Sequence, residues 1–259
     1  MNIVVLVKQV PDSGAERALS AGENTVERDS ANNVINEMDE YAIEEALKIK
    51  EAHGGEVTIL TMGPERAADS IRKALSMGPD KAVHIQDAAL RGSCAVATSK
   101  VLAAALGTLG ADLIICGAES TDGRVQVMPH MLAVRLGVAA LTGARKLTVD
   151  GATLTAERQT DEGYEIVTAS TPAVVSVWDT INEPRYPSFK GIMAAKKKEV
   201  LTFTLADLGI EADSVGVANA GSTVTSSTPK PARTAGEKVA DEGDGGNQVA
   251  QYLIGQKVI

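Results

Sequence analysis

Cysteine, histidine and aromatic residues are scarce in this chain of 259 residues, and each scarcity removes a class of function. The two cysteines, Cys94 and Cys116, can build no disulfide framework, and they fit no metal-ligand spacing. Both are expected to be reduced thiols in the interior. The three histidines, His53, His84 and His130, are scattered, with no catalytic partner beside them, so structural roles are expected. Aromatics make up 3% of the chain, which leaves no base-stacking platform. Positive charge is also in deficit: the net charge is −9. An anionic surface speaks against nucleic acid or an acidic membrane as partner. Apolar runs fall well short of the ~20 residues that span a bilayer, so no membrane insertion is expected. The opening MNIVVLVKQV has no basic stretch before a long apolar run and no small-residue cleavage site. It is expected not to be a signal peptide, and the location expected is cytoplasmic. Serine-hydrolase, Walker A, H-E-x-x-H and G-x-G-x-x-G motifs are all missing. No catalytic residue and no metal ligand is therefore assigned.

What the chain does carry is alternation of strand and helix. Ile3 to Val7 is a short β-branched run of the kind buried on both faces of a sheet. Residues 38–52 bring Met38, Ala42, Ile43, Ala46, Leu47 and Ile49 to helical spacing, and Gly54-Gly55 ends that helix. Strands are expected at 57–61, 82–85 and 113–116, and helices at 65–77, 93–109 and 124–137. Such alternation implies an α/β domain, a parallel sheet with helices on both faces and right-handed crossovers. After Gly137 the pattern changes. Strands are expected at 144–149, 152–158, 164–170 and 173–178, with hairpin turns at Asp150-Gly151 and Glu162-Gly163, as antiparallel additions. Residues 182–198, NEPRYPSFKGIMAAKKK, form a loop that ends in a helical-looking basic run. Lys196 to Lys198 are expected to form a solvated basic face. Residues 211–247 are rich in small and acidic residues and are expected to be an extended arm. Residues 249–259 regain enough apolar character for a short docking helix. The expected division is 1–181 for the α/β domain, 182–198 for an interaction loop and 199–259 for the arm.

Open parallel sheets bind ligands beyond the carboxyl ends of their strands, where the strand order reverses. With the first four strands in the order 3-2-1-4, that point lies between the first and the fourth. The loops Lys8 to Ser13 and Gly117 to Gln126 would meet there. In the second loop, GAESTDGRVQVMP, Thr121 or Asp122 could cap the helix that follows, and Gly123 permits a tight turn. Helix-start amides attract phosphate, with Arg124 available to help. An ordinary capped loop reads equally well.

Several stretches in order resemble the electron transfer flavoprotein beta-subunit family. These are VLVKQVPD at 5–12, NEMDEYAIEEAL at 36–47, TMGP at 61–64, RKALSMGPDKAVHI at 72–85 and GAESTDGRVQVMP at 117–129. The most specific is TPAVVSVWDTINEPRYPSFKGIMAAKKK at 171–198, and RTAGEKV at 233–239 resembles the family's tail. The resemblance implies a Rossmann-like, adenine nucleotide alpha hydrolase-like domain in a heterodimer whose alpha subunit holds FAD. It implies AMP bound structurally by Leu6, Asn36, Glu37, Met38, Asp39, Met62, Gly117, Thr121, Asp122, Gly123, Arg124, Val125, Gln126 and Val127. Asn36 would offer a donor and an acceptor to the adenine edge. Ser13 and Arg158, the latter in TAERQTDEG, would lie near the flavin. Tyr186, Phe189, Ile192 and Met193 would dock partner proteins, with Phe189 either protruding or folded back on the core. The chain departs from the family pattern in a loop one residue shorter after Asp122, in Met128 at a glycine position, and in Ser13 at an aromatic or hydroxyl position.

By the same resemblance, electrons would come from acyl-CoA and other dehydrogenases in fatty-acid oxidation. They would leave to a membrane quinone oxidoreductase, with no bond-making catalysis by this chain. Three alternatives stay open. One is a stand-alone, universal-stress-like nucleotide-binding domain. Another is a bifurcating flavoprotein subunit with FAD in the AMP site. The third, an adenylyl-transferring enzyme, lacks its pyrophosphate-binding motif here.

Overall fold

The computed structural model describes the whole chain except residues 16–17, 21–23, 30–31, 229, 233–234 and 237. Part of the tail stretch 233–239 therefore lies outside the described residues. Eleven strands and six α-helices follow one another among those described. In chain order they are β1 (Asn2–Leu6), β2 (Gln9–Pro11), β3 (Asn33–Ile35), α1 (Glu37–His53), β4 (Glu56–Met62), α2 (Ala68–Met77), β5 (Lys81–Ile85), α3 (Ala95–Leu109) and β6 (Leu113–Gly117). Then come α4 (Met128–Leu136), β7 (Ala139–Asp150), β8 (Thr153–Thr160), β9 (Gly163–Ser170), β10 (Ala173–Val177), α5 (Phe189–Ala195), β11 (Val200–Phe203) and α6 (Gly245–Gly255).

Nine strands form one sheet in the order β11-β5-β4-β1-β6-β10-β7-β8-β9. The order β5-β4-β1-β6 is the 3-2-1-4 arrangement expected, and these pairs are parallel. Residues along β1 alternate between two cores. Ile3 and Val5 pack with Ile43, Ile59, Leu75 and Ile115 on the α1–α2 face. Val4 and Leu6 pack with Leu60, Val101, Leu106 and Leu132 on the α3–α4 face. Each fully buried Ile or Leu contributes about 2 kcal/mol, and both faces must be covered, so the central strands read as mainly apolar runs without alternation.

One of the four late strands corrects the sequence reading. Only β8 and β9 are antiparallel additions throughout. β10 inserts between β6 and β7 and runs parallel to both. Its five residues, AVVSV, are all buried. That lack of alternation marks an interior strand, which a hairpin reading overlooks. β7 serves both sheet parts. Near Gly143, at φ 70°, the strand shifts register, and the Gly143 N–H donates to Ser176 Oγ at 2.9 Å. Beyond that point it pairs with β8.

The described chain forms two compact units, Met1–Thr225 and Ser226–Ile259. The segment after residue 199 starts with β11, an edge strand parallel to β5, and buries Leu205, Ile210 and Val215 in the main core. Four residues with weak alternation were too short a signal for a strand. Ser226–Ile259 contains α6, whose Val249, Tyr252 and Ile254 are exposed. No helix among the described residues is long and apolar enough to cross a membrane.

Candidate functional site

The chain leaves β1 toward β4 and β5, then returns to the other side of β1 as β6. Loops at the carboxyl ends of β1 and β6 therefore part, and a cavity of about 810 Å³ opens between them. Leu6, Leu60 and Met62 from the strand ends and Leu102 from α3 give it apolar walls.

Two polar ties hold the diverging loops. The first is Asn36, which is 1% exposed. Its N–H donates to Lys8 O at 2.9 Å. Its Nδ2 donates to Asp39 Oδ1 at 3.0 Å and to Glu119 O at 2.9 Å. Its Oδ1 accepts from the Thr121 N–H at 3.0 Å. This amide staples the loop after β1 to the loop after β6. Asp39 completes the tie by accepting from the Lys8 N–H at 2.8 Å and from the Gly117 N–H. Burial pushes the Asp39 carboxyl up to about 7, although those donors and Asn36 pull the other way.

The second tie is ionic. Asp122 has a fully buried side chain that meets Lys8 Nζ at 2.8 Å and an Arg28 terminal nitrogen at 2.7 Å. Burial acts to raise its carboxyl, but Lys8 and Arg28 outweigh it and hold the group at about 2. Asp122 and Thr121 do not cap the following helix, because α4 starts only at Met128, with Val127 at its cap and Pro129 in its first turn. The residues between form a turn in which Arg124 and Gln126 take left-handed φ values of 48° and 57°. Gln126 Nε2 donates to Glu119 Oε2 at 2.7 Å and fixes that turn.

Of the residues expected to hold the nucleotide, Leu6, Asn36, Asp39, Met62, Gly117, Gly123, Val125 and Gln126 line the cavity. Glu37, Met38, Thr121, Asp122, Arg124 and Val127 are not among its lining residues. Ser13 lies outside the lining and donates to Glu37 Oε1 at 3.2 Å. Arg158, on β8, pairs with Glu165 on β9. Sequence reasoning missed Arg28, Asp29, Arg66 and Arg91, which all reach the cavity. Arg28, Asp29 and Arg91 sit in stretches with no expected element and Arg66 at the start of an expected helix, so only their through-space pairing reveals them.

The loop 182–198 is bound firmly at its base and bare at its tip. Arg185 donates to Glu44 at 2.7 Å and to Glu51 at 2.6 Å on α1. Asn182 donates to Tyr41 O and Glu45. Lys198 is not part of a solvated basic face: its ammonium caps α2 through Leu75 O at 3.0 Å and Pro79 O. The tip exposes Tyr186 (93%), Phe189 (81%), Ile192 (46%) and Met193 (47%). Phe189 thus protrudes and does not fold back. Glu44 is 6% exposed, so Arg185→Ala would strand a buried carboxylate. Because Arg185 is partly solvated, the expected loss is about 2 kcal/mol. Urea unfolding would read it, and an unchanged midpoint would refute the clamp.

Comparison with known proteins agrees with the motif order. The electron transfer flavoprotein domain model matches residues 23–208. The electron transfer flavoprotein subunit beta of Mycobacterium tuberculosis (strain ATCC 25618 / H37Rv) is 57% identical, covering 100% of this chain and 99% of that protein. The subunit beta of Megasphaera elsdenii is 34% identical over 100% of both chains. Protein FixA of Azorhizobium caulinodans is 36% identical over 82% of this chain and 78% of its own length.

Proposed function

Because this chain belongs to the electron transfer flavoprotein beta-subunit family, an electron-transfer family, we propose that it pairs with an alpha subunit and holds AMP in the cavity between the β1 and β6 loops. The observation that carries the nucleotide reading is the pair of ties, Asn36–Asp39 and Lys8–Asp122–Arg28. They fix two loops around a cavity at the strand-order reversal, where α/β sheets take nucleotides.

The residues present fit AMP. Leu6, Leu60 and Met62 offer apolar walls to an adenine ring. The turn at 123–127 offers backbone amides in a left-handed path, with Arg124 beside them, which suits a phosphate. The FAD of the proposed alpha partner supplies the one-electron redox chemistry when bound. This chain contributes Ser13 and Arg158 toward that shell and performs no bond-making of its own. Tyr186, Phe189, Ile192 and Met193 form the docking tip for acyl-CoA and other dehydrogenases, a large apolar area on a clamped loop. A membrane quinone oxidoreductase receives the electrons. The encounter contacts are small and transient, and the complex works in the cytoplasm.

The test is to purify the chain with its alpha partner, denature the complex and weigh the released nucleotides. A yellow complex that yields AMP and FAD in equal amounts is expected. A colourless monomer that releases no nucleotide would overturn the proposal. A second reading, FAD in this cavity as well, draws on a volume high in the range of small-molecule sites. Two FAD per complex with no AMP would select it.

For the docking tip, Phe189→Ala should leave the melting temperature unchanged, since the ring is 81% exposed. Electron transfer from an acyl-CoA dehydrogenase should fall roughly tenfold, the scale of a lost interface anchor. Unaltered turnover would remove Phe189 from the docking role.

A further inference from the structure

We propose that residues 24–29 form a salt-latched strap across the mouth of the nucleotide cavity, whose unlatching sets how fast the nucleotide enters and leaves. The inference rests on the nucleotide reading above.

Thr25 to Asp29 line the cavity as an unbroken run. They lie in the connection between β2 and β3, outside the main sheet. None of residues 24–29 is buried, so no apolar core fastens them. Charge does. Arg28 donates its Nε and a terminal nitrogen to Asp122 Oδ2 at 3.1 and 2.7 Å. Asp29 meets Arg66 at 2.8 Å and Arg91 at 2.7 Å.

The three anchors follow three different strands: Arg66 comes after β4, Arg91 after β5 and Asp122 after β6. Parallel strands all end at one edge of the sheet, and β1 lies between β4 and β6. The strap is therefore fastened on both sides of the crevice, by Arg28 to the β6 side and by Asp29 to the β4–β5 side. Asn33 Nδ2 holds Arg28 O at 2.8 Å at the inner end.

These fastenings differ in strength. Asp122 is wholly enclosed, but the side chains of Asp29, Arg66 and Arg91 are 56%, 30% and 58% exposed. Exposed ion pairs are weak and are screened by salt. A segment with little buried apolar surface opens locally at small cost. The Asp29 side is thus the latch, and the Arg28–Asp122 side is the hinge.

The experiment measures exchange of labelled AMP on the purified heterodimer in a chase with unlabelled AMP. Association is followed separately on nucleotide-stripped protein. Asp29→Ala should raise association and dissociation rates by the same factor, roughly two- to fivefold, with Kd unchanged. Raising NaCl from about 50 to about 500 mM should speed exchange in the native protein and do little in the variant. The triple variant Asp29→Lys with Arg66→Glu and Arg91→Glu, which reverses both pairs, should return exchange toward the native rate, which guards against a general folding defect. Native-like rates in Asp29→Ala would overturn the strap. So would a rise in dissociation alone with a matching rise in Kd, since Asp29 would then be only a ligand contact. If the native heterodimer takes up no adenine nucleotide at all, the nucleotide reading fails and the strap with it. Uptake with an indifferent Asp29 variant sinks the strap alone.

Discussion

Gly117→Ala is expected to lower stability by about 3 kcal/mol or more and to empty the nucleotide site. A methyl group at this position would sit 2.5 Å from Met38 Cβ, 2.7 Å from Asp39 Oδ1 and 2.8 Å from the Met38 carbonyl carbon. Two of those neighbours are a backbone atom and the Cβ beside it, which cannot swing aside as the end of a side chain could. Either the start of α1 moves off the tip of β6 or the strand end shifts. Both movements break the Gly117 N–H bond to Asp39 and the staple made by Asn36. Thermal melting and the yield of bound nucleotide would measure the two consequences. A variant that melts like the native protein and keeps its nucleotide would show that the two elements are less closely set than the structure has them.

Asp39 makes stability depend on pH in an unusual direction for a carboxylate. Its folded value of about 7 lies above the ordinary value of 3.8. The folded protein therefore holds a proton that the unfolded chain has released. The contribution is fully present below about pH 4 and is lost as pH rises toward 7. Across that window the loss is on the order of 3 kcal/mol. Asp122, held at about 2, has the opposite sign, but its loss begins only as pH falls below 4. Urea unfolding at about pH 5 and about pH 8 separates the two. The native protein should lose stability between them relative to Asp39→Asn, which cannot ionise. Parallel behaviour of the two proteins would mean that Asp39 is charged throughout, with its backbone donors compensating burial.

Much of the fold was legible because apolar patterning is local. β1 and β6 each occupy a short run of mostly Val, Ile or Leu buried on both faces, and β4 and β5 are short, mainly apolar runs that also bury Thr58, Thr61 and His84. The motif order and the exposed tip at Phe189 were legible too. β10 was misassigned because its neighbours in sequence are hairpin strands, while its neighbours in space are β6 and β7. Helix α4 starts later than its polar loop suggests because Asp122 is drawn inward by Lys8 and Arg28. Lys198 left the basic run for the end of α2 because unpaired carbonyls there outcompete water for its ammonium.

By itself, then, the sequence determined the alternating α/β architecture, from patterns within a few consecutive residues, and the family, from the order of its motifs; the crevice followed once the sheet set the strand order. Only the tertiary structure decided what the polar residues of that crevice do. Lys8 and Asp122 stand 114 positions apart, Arg28 and Asp122 stand 94 apart, and Asn36 reaches Glu119 across 83. Pairings over such separations depend on where the sheet brings the strand ends, and no local rule of propensity or spacing encodes them.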